Sequence, residues 1–250
     1  MQVNGADVRK QELNEMFNKI VSSANSEAAE QTVEQAYEVM SKSKIKECNH
    51  VSNIPDRYKY SRFSDFEYGE IGNDVKKFSL NPNSNAFLLY GPTGVGKTSL
   101  ICSALHERAV NDLSAGLYFN NRFLMPTLRT CRSFSAKENE ESFVRRLSRV
   151  PFLCIDEVGA SSNLKEEGEF LSLLICARYD NNLPTFIATN LDTLNFSLLL
   201  AGVDLNETPD CKKKELCLRL KKSNATLDRF NSIAIKRYLP GDSYRIKTEN

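Results

Sequence analysis

The chain has no apolar run long enough to span a bilayer and no basic-then-apolar leader at its start, so no membrane association is expected and the protein is read as cytoplasmic. Net charge is nearly absent: 33 basic and 32 acidic residues leave +1, so any nucleic-acid contact must come from a local patch rather than a global basic excess. The regular, even cysteine set of a disulfide scaffold is missing as well. The 7 cysteines are odd in number, and Cys102, Cys154 and Cys176 fall inside apolar helix or strand patterns that suit a reduced, buried thiol. Structural zinc is not expected, because Cys48 and His50 have no second pair nearby and Cys211 and Cys217 are wrongly spaced. Internal repeats and long low-complexity tracts are not apparent. What remains is 250 residues, 41% of them hydrophobic, enough for one substantial domain with a small appendage.

The most informative stretch is FLLYGPTGVGKTS, residues 87–99. An apolar run, 87–90, reads as a buried strand; the residues after Thr98 have helical periodicity; between them lies a glycine-rich turn. Gly91, Gly94 and Gly96, with Pro92, Thr93 and Val95 between them, let the backbone curl so that successive N–H groups face phosphate oxygens, with the helix dipole behind them. Lys97 is placed to reach the β- and γ-phosphates, the Thr98 hydroxyl to bind Mg²⁺, and Ser99 to complete the loop. ATP and Mg²⁺ are therefore the expected cofactors.

Two further strand ends supply chemistry. PFLCIDEVG, residues 151–159, ends an apolar strand in Asp156 and Glu157. The first acid suits Mg²⁺ through water, and the second can polarise an attacking water. PTFIATN, residues 184–190, ends in Thr189 and Asn190, whose polar tip would face the γ-phosphate. Strands are expected at 87–90, 115–120, 150–155, 185–188 and 232–239, alternating with helices at 71–78, over most of 123–147, and at 170–179. That alternation predicts an α/β fold of P-loop type, a parallel sheet covered by helices.

GPTGVGKT, CIDEVG and ATN resemble the Walker A, Walker B and sensor 1 motifs of the DnaC/IstB group of AAA+ ATPases, the bacterial and phage helicase loaders and transposition helpers. RYDNNLPTFIATN, residues 178–190, is similar to that group more than to AAA+ proteins in general. The resemblance covers residues 54–250. It implies that LDRF, 227–230, is an arginine-finger box with Arg229 acting on a neighbouring subunit, hence a self-oligomer. GDSYR, 241–245, resembles the near-terminal motif of DnaC-like members, but with 5 residues after Arg245 there is no room for a helical lid, so the role of Arg245 in nucleotide binding stays open.

Two basic stretches have two readings each. Arg122, Arg129 and Arg132, interleaved with Phe119, Phe123 and Phe134, lie where this group carries a helical insertion facing single-stranded DNA; they also fit a solvated helix face over core phenylalanines. Lys212, Lys213, Lys214, Arg219, Lys221 and Lys222 read as a solvated loop, with DNA contact as the alternative. Residues 1–52 are expected to be a helical partner-binding unit and linker, and residues 53–250 the AAA+ domain. On the first helix Val8, Leu13, Met16, Phe17 and Ile20 form an apolar stripe, which is covered either by a second helix at 28–40 or by a partner. The resemblance implies a DnaB-like replicative helicase as that partner. The expected function is an ATP-dependent helicase loader, with an IstB-like transposition helper or a nucleotide-bound interaction adaptor as alternatives.

Overall fold

The structure, a computed structural model, describes residues 53–243 apart from residues 66, 83–84, 112, 114–115, 134–135, 137 and 222–223. The expected N-terminal helices, the Cys48 and His50 pair, Phe134, Lys222 and Arg245 lie outside the described residues.

Five parallel strands form one sheet in the order β2-β3-β4-β1-β5: β1 Ala86–Tyr90, β2 Leu117–Asn120, β3 Leu153–Val158, β4 Thr185–Thr189 and β5 Ala234–Tyr238. Parallel strands need covered faces, which is why they read as unbroken apolar runs. Alternate side chains go to opposite sides. Phe87, Leu89, Cys154, Phe186 and Ala188 pack under α1 (Gly69–Leu80) and α2 (Lys97–Val110). Leu88, Leu153, Ile155 and Ile187 join the cluster on the other side. There they meet α3 (Leu124–Cys131), α4 (Glu140–Ser148), α5 (Leu164–Asp180), α6 (Thr193–Leu200), α7 (Asp210–Leu220) and α8 (Ala225–Ile233). On the α1 side Phe78, Phe87, Phe152 and Phe186 interlock, with ring centroids 5.1–6.2 Å apart.

Three expectations are corrected. The third strand lies at Leu153–Val158, further along than 150–155, because Val150–Phe152 form its approach and the acids belong to the strand itself. The helical reading of 123–147 resolves into α3 and α4 around the polar break. The lysine-rich segment is not a loop: α7 runs through it, since Cys217 is buried and Leu216 and Leu220 pack against the core, a one-sided apolar pattern hidden among lysines.

Arg178 pins the lower edge of the sheet. The residue is 1% exposed, and its guanidinium donates to Leu147 O and Val150 O at 2.8 Å, Pro184 O at 2.5 Å and Thr185 Oγ1 at 2.8 Å. One side chain thus joins the end of α4 to the entries of β3 and β4, and burial pulls its pKa down to about 10. No helix among the described residues is long and apolar enough to cross a membrane.

Candidate active site

The strand order sets β4 between β1 and β3, so the three tips carrying the sequence motifs emerge side by side at the carboxyl edge of the sheet. In such sheets this edge is where ligands bind. After Tyr90 the chain turns through Gly94 at φ +89° and Gly96 at φ +97°, left-handed conformations that favour glycine, and Gly96 caps α2. A Cβ on Gly94 would stand 2.1 Å from Ser243 Oγ, so this loop is pressed against the segment after β5. Val95 and Ser99 are buried, and Thr93 reaches the cavity. Lys97, 8% exposed, folds back over its loop, donating to Gly91 O at 2.8 Å and Pro92 O at 2.5 Å.

Successive residues of a strand point to opposite faces, yet Asp156 and Glu157 both line this cavity. The register between β3 and β4 shifts at Ile155/Val158, and Glu157 adopts φ +58°. That left-handed step breaks the alternation. Asp156 is almost fully buried, and its Oδ2 accepts from Thr98 Oγ1 at 2.7 Å and Tyr118 OH at 2.9 Å while Oδ1 accepts from Glu157 N at 2.9 Å. Burial pushes its carboxyl above the ordinary range against those three bonds. The Thr98 hydroxyl and Asp156 carboxylate, hard oxygens in mutual contact beside a lysine-bearing loop, fit a hydrated Mg²⁺ on a nucleotide.

Thr189 and Asn190 divide their work. Thr189 is fully buried, its hydroxyl donating to Val158 O at 2.7 Å and accepting from Leu191 N at 3.0 Å, which ties the tips of β4 and β3 together. Asn190 is exposed and lines the cavity. Arg122, just beyond β2, also lines the cavity and forms an ion pair with Glu157. It therefore separates from its sequence companions: Arg132 pairs with Glu140 and Glu166, and Arg129 is exposed. Phe123, 64% exposed, stands next to Arg122. Arg229 is not among the residues lining this cavity; it lies 3.9 Å from Asp180 and over the Tyr179 ring.

The cavity encloses about 450 Å³. A wall that sequence reasoning missed is supplied by Arg57, Tyr58, Tyr60, Ser61 and Asp65, whose flat rings and polar edges suit a nucleobase. Its signal was the aromatic and basic density of RYKYSRF, 57–63, in a stretch without periodicity. His106 on α2 holds this wall: its buried ring places Nδ1 2.7 Å from Ser61 O, and because a carbonyl only accepts, Nδ1 carries the proton. Burial lowers the His106 pKa, which favours the neutral ring.

A family model described as IstB-like ATP binding protein matches residues 4–206. Among curated proteins, the chain is similar to the replicative helicase loader DnaI of Bacillus subtilis (strain 168), 24% identical over 131 residues that cover 52% of this chain and 40% of that protein. It is also 24% identical over 165 residues to the replicative helicase loader DnaC of Buchnera aphidicola subsp. Schizaphis graminum (strain Sg), covering 66% of this chain and 62% of that one. The chain thus spans from two fifths to three fifths of these curated relatives. The crystal structure of DnaI superposes with a TM-score of 0.54 at 19% identity, covering 76% of this chain and 93% of that chain. AMPPCP-bound DnaA from Aquifex aeolicus superposes at 0.51 and 17% identity, covering 77% and 53%. These structural likenesses concern the fold, that of AAA+ P-loop proteins.

Proposed function

The chain belongs to the IstB-like ATP binding protein family, and we propose that within it the protein is a Mg²⁺-dependent ATPase that loads a replicative helicase onto single-stranded DNA. The observation that carries the ATPase reading is the meeting of Lys97, Thr98, Asp156, Glu157 and Asn190 in one cavity at the carboxyl edge of the sheet. Thr98 and Asp156 would hold Mg²⁺, which would supply charge neutralisation to the phosphates. Lys97 leaves its loop carbonyls for the phosphates, the loop N–H groups cradle them, Tyr58 and Tyr60 flank the base, and Asn190 and Glu157 orient the attacking water. Arg229, outside its own cavity, serves the site of a neighbouring subunit in a self-oligomer, and Arg245 is a further candidate for nucleotide binding.

The loader reading is supported by the two curated relatives, both replicative helicase loaders. The helicase is held by the N-terminal unit, residues 1–52, and single-stranded DNA meets Arg129 and Phe123 on the face beside the cavity; the protein works in the cytoplasm. A second reading, a transposition helper, is favoured by the IstB-like description of the matching family. Lys97→Ala should abolish ATP binding, while Glu157→Gln should bind ATP and fail to hydrolyse it. Equal loss of ATP affinity in both variants would refute the assignment. Recovery of a DnaB-like helicase, rather than a transposase, with the tagged full chain from its source cell decides between the two partners.

A further inference from the structure

Glu167 is a buried carboxylate that the nucleotide site does not touch. It lies in the first turn of α5 with no exposed surface, yet none of its hydrogen-bond partners among the described residues is a cation. Its Oε1 accepts from Gly159 N at 2.6 Å and from Asn121 Nδ2, and its Oε2 accepts from Ser161 N at 3.2 Å. Burial pushes the carboxyl up, and those three donors oppose the shift.

These donors sit on the two turns that frame the reacting groups. Gly159 and Ser161 follow the left-handed step at Glu157, and Gly159 itself continues at φ +86°. A non-glycine residue in that conformation persists only where its surroundings over-determine it. Thr189 Oγ1 fastens one side of this turn through Val158 O, and Glu167 fastens the other through two N–H groups. Asn121 is fully buried and immediately precedes Arg122, the partner of Glu157. One carboxylate therefore fixes both ends of the Arg122 and Glu157 pair without contacting either side chain.

We propose that Glu167 is a positioning residue for hydrolysis, holding the turns after β2 and β3 so that Glu157 is presented to the water. This role rests on the ATPase reading above. None of these three hydrogen-bond partners lies in the phosphate loop or the tyrosine wall, so loss of Glu167 should disturb the chemical step and leave nucleotide affinity in place. Glu167→Gln keeps the shape but sets an amide N–H against one of the two backbone N–H groups. Glu167→Ala leaves both without an acceptor.

The test uses the full-length chain and measures ATP affinity with a fluorescent ATP analogue, single-turnover hydrolysis at saturating protein, and thermal melting of each variant. Expected is a fall in the hydrolysis rate of about tenfold for Glu167→Gln and about a hundredfold for Glu167→Ala, with affinity within about twofold of wild type. A parallel fall in affinity and rate would assign Glu167 to general stability instead. Wild-type hydrolysis that neither variant slows overturns the positioning role alone; a wild type that binds ATP and never hydrolyses it overturns the ATPase reading and this role together. If Glu167→Ala does not fold, Glu167→Gln decides.

Discussion

Replacing Arg178 with methionine separates stability from nucleotide chemistry. Methionine roughly fills the aliphatic volume, so the change removes four hydrogen bonds without opening a large cavity. The four acceptors are not equally dependent on the arginine. Leu147 O also accepts from Val150 N at 3.4 Å and Pro184 O from Leu153 N at 3.2 Å, and the Thr185 hydroxyl can turn to another partner. Losing a second bond at the two carbonyls costs about 0.5–1.5 kcal/mol each, and leaving Val150 O without its arginine donor costs about 1–3 kcal/mol. Releasing a buried guanidinium from desolvation offsets on the order of 1 kcal/mol of that total. The net expectation is a loss of about 1–5 kcal/mol, read as a lower urea midpoint at constant slope or a melting temperature down by about 2–20 °C. Because Arg178 grips the entries of β3 and β4 while the cavity lies at their exits, ATP affinity measured well below the melt should stay at the wild-type value. Arg178→Lys should recover little, since an ammonium cannot fork among acceptors on three segments. Wild-type stability in Arg178→Met, or full recovery by lysine, would refute the pin.

Gly94→Ala forces a side chain into a left-handed backbone and against Ser243, so ATP affinity should drop by about tenfold or more in a fluorescent-analogue titration, and an unchanged affinity would show that the loop relaxes freely. Arg122→Ala frees the Glu157 oxygen held by the guanidinium and should raise basal turnover, by up to about fivefold given an exposed pair worth at most about 1 kcal/mol; slower turnover would mean that Arg122 assists catalysis directly. Arg229→Ala should bind ATP normally and hydrolyse it about a thousandfold more slowly, and mixing it with Lys97→Ala protein should restore activity through hybrid interfaces, an outcome that a finger acting within its own subunit cannot produce.

The residues that were legible in the sequence are those whose chemistry is local. The phosphate loop, the acids at 156–157 and the polar tip at 189–190 each announce themselves within a single strand and turn, and the parallel order of strands follows from their alternation with helices. What escaped depends on contacts distant along the chain. The tyrosine wall at 57–61 is held to the site by distant contacts, among them that of Ser61 with His106, 45 positions away. Arg122 joins Glu157 rather than Arg129 and Arg132 because the turn after β2 is bound to Glu167. The helix at Asp210–Leu220 was masked by lysines whose charge says nothing about the buried Cys217 beneath them. Arg178 belongs to the phrase RYDNNLPTFIATN, but only three-dimensional contact explains why an arginine stands at that position.

The left-handed step at Glu157 also sets a limit on how stable this protein can become. Placing a glutamate there costs about 1–3 kcal/mol relative to a relaxed strand, and asparagine, which tolerates that conformation, would recover part of it. A library screened only for resistance to heat should therefore enrich Glu157→Asn, and the winners should be dead for hydrolysis. Thermal robustness and turnover compete for the same backbone angle, so consensus or stability-driven redesign of this chain must hold position 157 fixed.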